Sequence, residues 1–280
     1  MPIVKPSFAN VHFIGKCNMH CAFCVGYDAQ PTGSTLAVKI EDLPRFERFL
    51  CKCHDAGVDR LYLTGLNCDP LQYQHLPELI DYLQKERGMR VGIRTNGLLA
   101  PGKLTLLNRL KLEVGYSINT LDHAEHVYHY GTRVPRWGKI LSSTRKYRAS
   151  YVARAFKSDP TGVATFNGIL NMLGAFHVPE HFQVRRVYRR EWYDGHDADV
   201  AAFEAVASHL AERFNQTGEY YGCKTYDAHG ITVCMWSPEH TSIQSLNYFT
   251  DGHDSSTYRI ADAYKAATAK PRNKLLDVAY

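Results

Sequence analysis

The sequence predicts an α/β fold: a partial (β/α)6 barrel, resembling an opened TIM barrel, with a C-terminal irregular or β extension. The first two-thirds of the 280 residues alternates short β-rich runs with helical stretches, which indicates a parallel sheet with right-handed crossovers. Six such units in about 210 residues are too few for the closed eight-unit barrel. We expect the barrel core at residues 1–215 and a capping extension at 216–280, within one domain.

Strands are predicted where β-branched and aromatic residues run between turn signals: Val11–Ile14, Arg60–Thr64, Arg90–Arg94, Leu112–Ile118, Val163–Met172 and Phe182–Arg189. Helices are predicted between them at Glu41–Ala56, Leu76–Arg87, Gly102–Arg109, Trp137–Ser150 and Asp199–Asn215. The first helix has the clearest pattern, because Phe46, Phe49 and Leu50 keep helical spacing after Pro44. After about residue 216, Tyr- and Gly-rich pieces predict the cap.

Composition excludes several classes of protein. Apolar residues make up 45% and charged residues 22%, the ordinary globular balance, and no apolar run reaches the roughly 18 residues of a membrane span. The N-terminus has no secretory pattern, so we expect a cytoplasmic protein with no membrane partner. Eight cysteines are too few for a disulfide scaffold in a chain this long, and clustered cysteines in a reducing compartment indicate metal or redox chemistry.

Three cysteines, Cys17, Cys21 and Cys24, directly follow the first predicted strand with C-x3-C-x2-C spacing. Three thiolates this close can hold three irons of a [4Fe–4S] cube and leave the fourth iron open to a small molecule. The alternative is a zinc site with His20 or His54 as fourth ligand, although structural zinc usually shows two spaced ligand pairs.

This cysteine loop, with Phe23 as its aromatic residue, resembles the loop of the radical S-adenosylmethionine (SAM) superfamily. The resemblance implies one [4Fe–4S] cluster, SAM chelated to its open iron, and an external one-electron donor of the flavodoxin or ferredoxin type. It also implies reductive cleavage of SAM to a 5′-deoxyadenosyl radical that abstracts hydrogen from a substrate.

Two later segments extend the resemblance. The end of strand two is similar to the Gly-Gly-Glu-Pro segment of that superfamily, whose backbone accepts a hydrogen bond from the methionine amine. The second Gly and the Glu are missing, so the resemblance implies Gly65 near the amine, with Asn67 or Asp69 in place of the acid. The Thr-Asn-Gly after strand three is similar to the one seen in many members, which implies Asn96 near the cofactor; the alternative is a plain β-turn.

Further matches are with members of the viperin and molybdenum-cofactor cyclase type. They imply Ser117 at the SAM carboxylate and Asn119 toward the ribose, on one face of strand four. They also imply Arg133 as a clamp on the carboxylate, for which the alternative is a solvated loop arginine. Finally, they imply Asn167 of strand five facing the cofactor and Val187 of strand six packing on adenine.

The remaining cysteines predict no second cluster. Cys223 and Cys234 are too few to ligate one, and Cys51 and Cys53 are interpreted as structural. Cys68 ends strand two, where barrel enzymes build their sites, so it is a candidate hydrogen donor to a substrate radical; the alternative is a small buried residue.

Positive charge is concentrated between His126 and Ser158, which hold eight Lys or Arg and no acid, interleaved with aromatic residues. In strand six, Arg185 and Arg189 share the face of Val187, and buried arginines need anionic partners. We therefore expect an anionic small-molecule substrate, nucleotide-like compounds included. One alternative is modification of a base in DNA or RNA along the basic window, and another is a zinc-dependent nucleic-acid-binding module without catalysis. For Arg145–Arg148 the alternative is a solvated helix face.

Overall fold

In a computed structural model, which describes residues 5–188 and 194–269, one mixed sheet contains every described strand. The strands are β1 Phe8–Phe13, β2 Arg60–Gly65, β3 Arg90–Thr95, β4 Val114–Ser117, β5 Tyr147–Val152, β6 Phe182–Arg185, β7 Asn215–Tyr220, β8 Cys223–Ala228, β9 Ile231–Trp236, β10 Ser245–Phe249 and β11 Asp254–Ser255. The helices are α1 Gly26–Ala29, α2 Phe46–Asp55, α3 Leu76–Asp81, α4 Leu104–Leu107, α5 His123–Tyr130, α6 Trp137–Ser143, α7 Val163–Gly174, α8 His196–Arg213 and α9 Ile260–Ala269.

The first six strands lie side by side in sequence order and are parallel, which confirms the predicted α/β fold. Strands β10 and β9 add parallel pairings beyond β1 and β6, one at each edge. The antiparallel strands β11, β8 and β7 follow outside them, and the described sheet is not closed. The predicted extension therefore lengthens the sheet at both edges; the boundary between core and extension at residue 215 stays a prediction.

Two of the predicted elements are wrong. The helix predicted over Trp137–Ser150 ends at Ser143, and Tyr147–Val152 forms strand β5. The strand predicted over Val163–Met172 is helix α7. Its buried apolar residues recur at positions i, i+3, i+4 and i+7, which is helical spacing: Phe166, Ile169, Leu170 and Leu173. The strand prediction gave weight to the β-branched residues and overlooked this spacing.

Strand side chains alternate between two environments, as the period of a strand requires. Residues such as Val11, Leu63 and Ile93 join the main apolar core between the sheet and the helices. Their neighbours on the opposite face, which we call the lumen, are polar and include Asn10 and His12. Branched apolar residues fill the interior of a closed barrel, so a polar lumen indicates room for a ligand.

The lumen is concave. Phe8 of β1 and Trp236 of β9 line the same cavity, although β2 to β6 separate their strands within the sheet. No helix in the described part of the chain is both long and apolar enough to cross a membrane.

Candidate active site

The cysteine loop leaves the C-terminal end of β1 and carries three partly exposed free thiols, Cys17, Cys21 and Cys24. The backbone N–H of Cys24 donates to the carbonyl of Cys21 at 2.9 Å, which turns the chain between these two ligands. A cleft of about 670 Å³ lies against all three cysteines. The loop is packed tightly on the end of β2, since a Cβ on Gly26 would lie 2.7 Å from the carbonyl oxygen of Leu66.

The donor set fits an iron–sulfur cluster. Burial raises the pKa of Cys17 to about 11, and burial together with the neighbouring thiols Cys24 and Cys17 raises the pKa of Cys21 further. Thiolates at these positions therefore need cations beside them, which bound iron supplies. Within residues 5–188 and 194–269, no three His, Cys, Asp or Glu side chains gather around one point that would hold a single metal ion. Cys17, Cys21 and Cys24 are the residues that would hold the cluster.

Asp69 ties together the loops that follow β2 and β3. Its buried carboxylate accepts hydrogen bonds from the Leu71 N–H at 2.9 Å, the Thr95 hydroxyl at 2.8 Å and the Asn96 N–H at 2.7 Å. Burial raises the pKa of Asp69, and these hydrogen bonds oppose the rise. The three hydrogen bonds give Asp69 a structural role, and the expectation that it replaces the missing acid at the methionine amine stays a prediction.

The two asparagines of this region continue the ties to the cysteine loop. The Asn96 side-chain N–H donates to the side-chain oxygen of Asn18 at 2.8 Å, within the loop. The side-chain oxygen of Asn67 accepts the N–H of Gly15 at 2.9 Å, where the loop begins. Both residues are therefore hydrogen-bonded to the cysteine loop, and their predicted contact with SAM stays a prediction.

Gly65 and Cys68 form the turn at the end of β2. A Cβ on Gly65 would lie 1.6 Å from the carbonyl oxygen of Cys68, so the turn requires glycine. The Cys68 thiol is buried, and its S–H donates to the carbonyl of Phe13 at 3.2 Å. Burial raises the pKa of Cys68, and the charges of Cys17, Asp69 and Cys24 raise it further.

Ser117 and Asn119 lie at the C-terminal end of β4, both partly exposed. The Asn119 side-chain oxygen accepts the N–H of Val152 at 3.1 Å and so joins the ends of β4 and β5. Arg133 is exposed and lies two residues beyond Gly131, where a Cβ would come within 3.2 Å of the His20 ring. The structure thus brings the segment of Arg133 to the cysteine loop.

An ion pair behind the loop was missed by the sequence analysis. Arg154 pairs with Asp199 of α8 at 3.1 Å, and the two side chains are only 4% and 2% exposed. The guanidinium lies 5.1 Å from the centre of the Phe23 ring and opposes the rise in the pKa of Cys21. Phe23 therefore packs on a protein support, and its predicted contact with the cofactor stays a prediction. Because Asp199 is 45 residues away in sequence, the acid-free window gave no signal of this partner.

The interpretation of the basic window as one surface is also wrong. Arg148 lies on strand β5 and faces the lumen, where it donates to the Gln183 side chain at 2.7 Å and lies 3.7 Å from Glu113. It is buried, so the expectation of a solvated helix face fails for this residue. With Arg154 also buried, two of the eight basic residues are internal.

Three predicted site residues remain. Asn167 lies on α7, not on a strand, and its side-chain oxygen is 3.1 Å from the His209 ring of α8; its predicted orientation toward the cofactor is wrong, because it rested on the wrong element. Val187 is buried just beyond β6. Arg185 ends β6 and lines the lumen cavity. Arg189 lies outside the described residues.

Comparison with known proteins identifies the family. The family model of the Radical SAM superfamily matches residues 11–167, more than half of the chain. The crystal structure of Streptococcus suis SuiB bound to S-adenosylmethionine is 16% identical, with a TM-score of 0.60 over 89% of this chain and 59% of that one. SuiB bound to its precursor peptide SuiA gives 17% identity and a TM-score of 0.59 over 89% of this chain and 58% of that one.

At these identities the likeness to SuiB shows the fold, and this chain spans about three-fifths of the length of SuiB. No curated protein sequence matches. The closer resemblance to viperin and the molybdenum-cofactor cyclase stays a prediction, whereas the non-catalytic zinc module is wrong. Because the matched region contains the cysteine loop and five of the six core strands lie within or overlap it, the chain belongs to the radical SAM superfamily, whose cofactors are a [4Fe–4S] cluster and SAM.

Proposed function

We propose that this radical SAM enzyme abstracts hydrogen from an anionic small molecule bound in the lumen. The observation that carries the proposal is Arg185, which lines the lumen at the end of β6 and has no carboxylate partner among the described residues. A guanidinium stays charged in proteins and is costly to desolvate, so an anion is its natural partner. Arg189, two residues further, is proposed as a second contact.

The chain's own residues would hold SAM above the lumen. We assign the methionine carboxylate to Ser117 and Arg133, the amine to the backbone near Gly65, and adenine to Val187. When bound, the cluster supplies the electron that cleaves SAM, and the radical so formed abstracts hydrogen. Cys68 is the proposed hydrogen donor to a substrate radical, because its buried S–H reaches the carbonyl of Phe13 just before the cluster loop. The thiyl radical that this leaves on Cys68 would take up one electron from the external donor and one proton.

The SAM assignment can be tested by binding alone. Arg133→Ala removes a charge-assisted contact, which is worth about 1.5–3 kcal/mol, so SAM affinity should fall about 10- to 150-fold. Arg136→Ala is the matched control, since Arg136 is also exposed and three residues away. An unchanged SAM affinity in Arg133→Ala, with iron content intact, removes Arg133 from the site.

The substrate assignment is tested through stimulation of SAM cleavage by phosphorylated and carboxylated compounds. In Arg185→Gln the substrate concentration needed for half-maximal stimulation should rise at least tenfold. Arg145→Gln, an exposed arginine, should leave it unchanged. A stimulating compound without an anionic group would refute the proposal.

An external electron donor must approach the cluster from outside. Lys16 and His20 of the cysteine loop are exposed there, and a flavodoxin or ferredoxin is the proposed partner. The alternative of base modification in DNA or RNA has lost part of its support, because Arg148 and Arg154 face the interior. Salt-dependent binding of oligonucleotides, at concentrations similar to those at which the enzyme turns over its substrate, would support the nucleic-acid alternative again.

A further inference from the structure

A second cavity lies in the lumen, and the cysteine loop is not part of its lining. The lining runs from the first residues of two strands, Phe8 of β1 and Arg60 of β2, to the last residues of two others, Arg185 of β6 and Trp236 of β9. The cysteine loop follows the other end of β1, so the six residues of that strand, roughly 20 Å, separate Phe8 from the loop.

The charges around this cavity are unbalanced. Four arginines line it, Arg60, Arg94, Arg148 and Arg185, against one carboxylate, Glu113, which leaves 4 − 1 = +3. Glu113 is already engaged, since it accepts a hydrogen bond from the Tyr62 hydroxyl at 2.8 Å and lies 3.7 Å from Arg148. Arg148 is buried and the other three arginines are partly buried, and cations in this excess are costly to desolvate without an anion.

Several nitrogen atoms at the cavity have no partner. The Nε atoms of Arg60 and Arg94, Nε1 of Trp236 and Nε2 of His181 are buried and without a hydrogen bond among the described residues. Trp236 is only 2% exposed, and an indole N–H can only donate. A native structure rarely leaves four such atoms together unless a ligand or water satisfies them.

The arginine at the centre is held in place. The Arg94 guanidinium lies 4.7 Å from the centre of the Tyr62 ring and 5.4 Å from that of Phe8. Burial and the charges of Arg148 and Arg185 lower the pKa of Arg94 to about 10, so the three cations act on one another. A group that satisfies Arg94 must therefore be an acceptor with negative charge.

We infer that this cavity binds one phosphate-type oxyanion, and that the oxyanion is one end of the substrate. The second half of the inference rests on the proposed function. The cavity holds about 40 Å³, room for about three water-sized groups, which admits one oxyanion group and excludes a nucleotide base.

Two probes test the inference on the anaerobic holoenzyme by calorimetry at constant ionic strength: inorganic phosphate and n-butyl phosphate. Both should bind saturably. Trp236→Phe removes one donor and keeps an aromatic ring, and should weaken both at least threefold; Arg94→Gln should weaken both at least tenfold. Arg90→Gln, an exposed residue on the same strand and outside the cavity, should change neither.

The outcomes separate the parts of the argument. If neither probe binds, or if Trp236→Phe and Arg94→Gln bind as the unmodified protein does, the oxyanion site is refuted. If inorganic phosphate binds and n-butyl phosphate does not, the site takes a free anion and the substrate-end assignment is refuted. Should Arg94→Gln fail to fold, Trp236→Phe decides. Binding of both probes together with turnover of an uncharged substrate would refute the proposed function and leave the oxyanion site standing.

Discussion

Replacing Asp69 by Asn should loosen the connection between the loops that follow β2 and β3. One carboxylate oxygen accepts the Thr95 hydroxyl and the Asn96 N–H, and the other accepts the Leu71 N–H. Asparagine has the same shape but one oxygen and one NH₂ group. Whichever way the amide is turned, its NH₂ faces at least one backbone N–H in a buried site, and that donor loses its partner.

The magnitude follows from the number of donors left without an acceptor. A hydrogen bond to a charged group is worth about 1.5–3 kcal/mol, and an unsatisfied buried donor costs about 1–3 kcal/mol. Asp69→Asn keeps two of the three hydrogen bonds in weaker, neutral form, so we expect a loss of about 2–3 kcal/mol in the free energy of unfolding. Asp69→Ala removes all three acceptor contacts and should cost about 4–5 kcal/mol.

Urea unfolding under anaerobic conditions measures both losses, and iron per chain measures the effect on the cluster loop. Because Asn96 bonds to Asn18 of that loop, we expect Asp69→Asn to retain less iron than the unmodified protein. Asp55→Asn, an exposed carboxylate, is the control and should change stability by less than about 0.5 kcal/mol. If Asp69→Asn is as stable as that control, the hydrogen bonds of Asp69 do not hold together the loops that follow β2 and β3.

Three further predictions concern buried groups around the site. Arg154→Leu leaves Asp199 as an unpaired buried charge, so unfolding free energy should fall by about 3–5 kcal/mol and iron retention should fall with it; recovery of both in the double variant with Asp199→Leu would support pairing as the cause, and no loss would exclude it. Burial lowers the pKa of His12 from 6.5 to about 4, so the folded protein resists a proton that the unfolded chain takes up, and about 3 kcal/mol of stability should disappear as the pH falls from 6.5 to 4. Urea unfolding at several pH values should show a smaller acid loss in His12→Gln, and an equal loss would assign the sensitivity to other groups. Gly65→Ala should prevent iron retention, since its Cβ has no space beside a backbone carbonyl, whereas Gly102→Ala, with open space around it, should load iron normally; normal loading of both would contradict the described turn.

Two parts of the site could be predicted from patterns formed by residues close together in sequence. The cysteine loop is a local pattern, and the end of β2 at Gly65 is placed by the run of apolar residues before it. Neither prediction depends on which strands pair with one another. The parallel order of β1 to β4 followed from the alternation of strands and helices alone.

The errors arose where a partner distant in sequence decides the environment. In the sequence, Arg148 has the pattern of a charged helix face. Its partners in the lumen, Glu113 and Gln183, are distant in sequence, so no residue near Arg148 indicates these contacts. Arg154 looks free for the same reason, since Asp199 is supplied by α8. These charged residues hid the period-two alternation across Tyr147–Val152, so this strand was missed. Val163–Met172 was predicted to be the fifth strand instead, and Asn167 was therefore given a strand orientation that it does not have.

The central claim is that Cys17, Cys21 and Cys24 hold a cluster that cleaves SAM, and one measurement tests it most directly. Protein reconstituted anaerobically with iron and sulfide, then freed of unbound metal, is assayed for iron, sulfide and 5′-deoxyadenosine after addition of dithionite and SAM. We predict about four irons and four sulfides per chain and formation of 5′-deoxyadenosine. Cys21→Ala should abolish the product, and Cys51→Ala, an exposed cysteine away from the loop, should retain it. A single bound ion without sulfide, or 5′-deoxyadenosine from Cys21→Ala at the unmodified rate, would contradict the account.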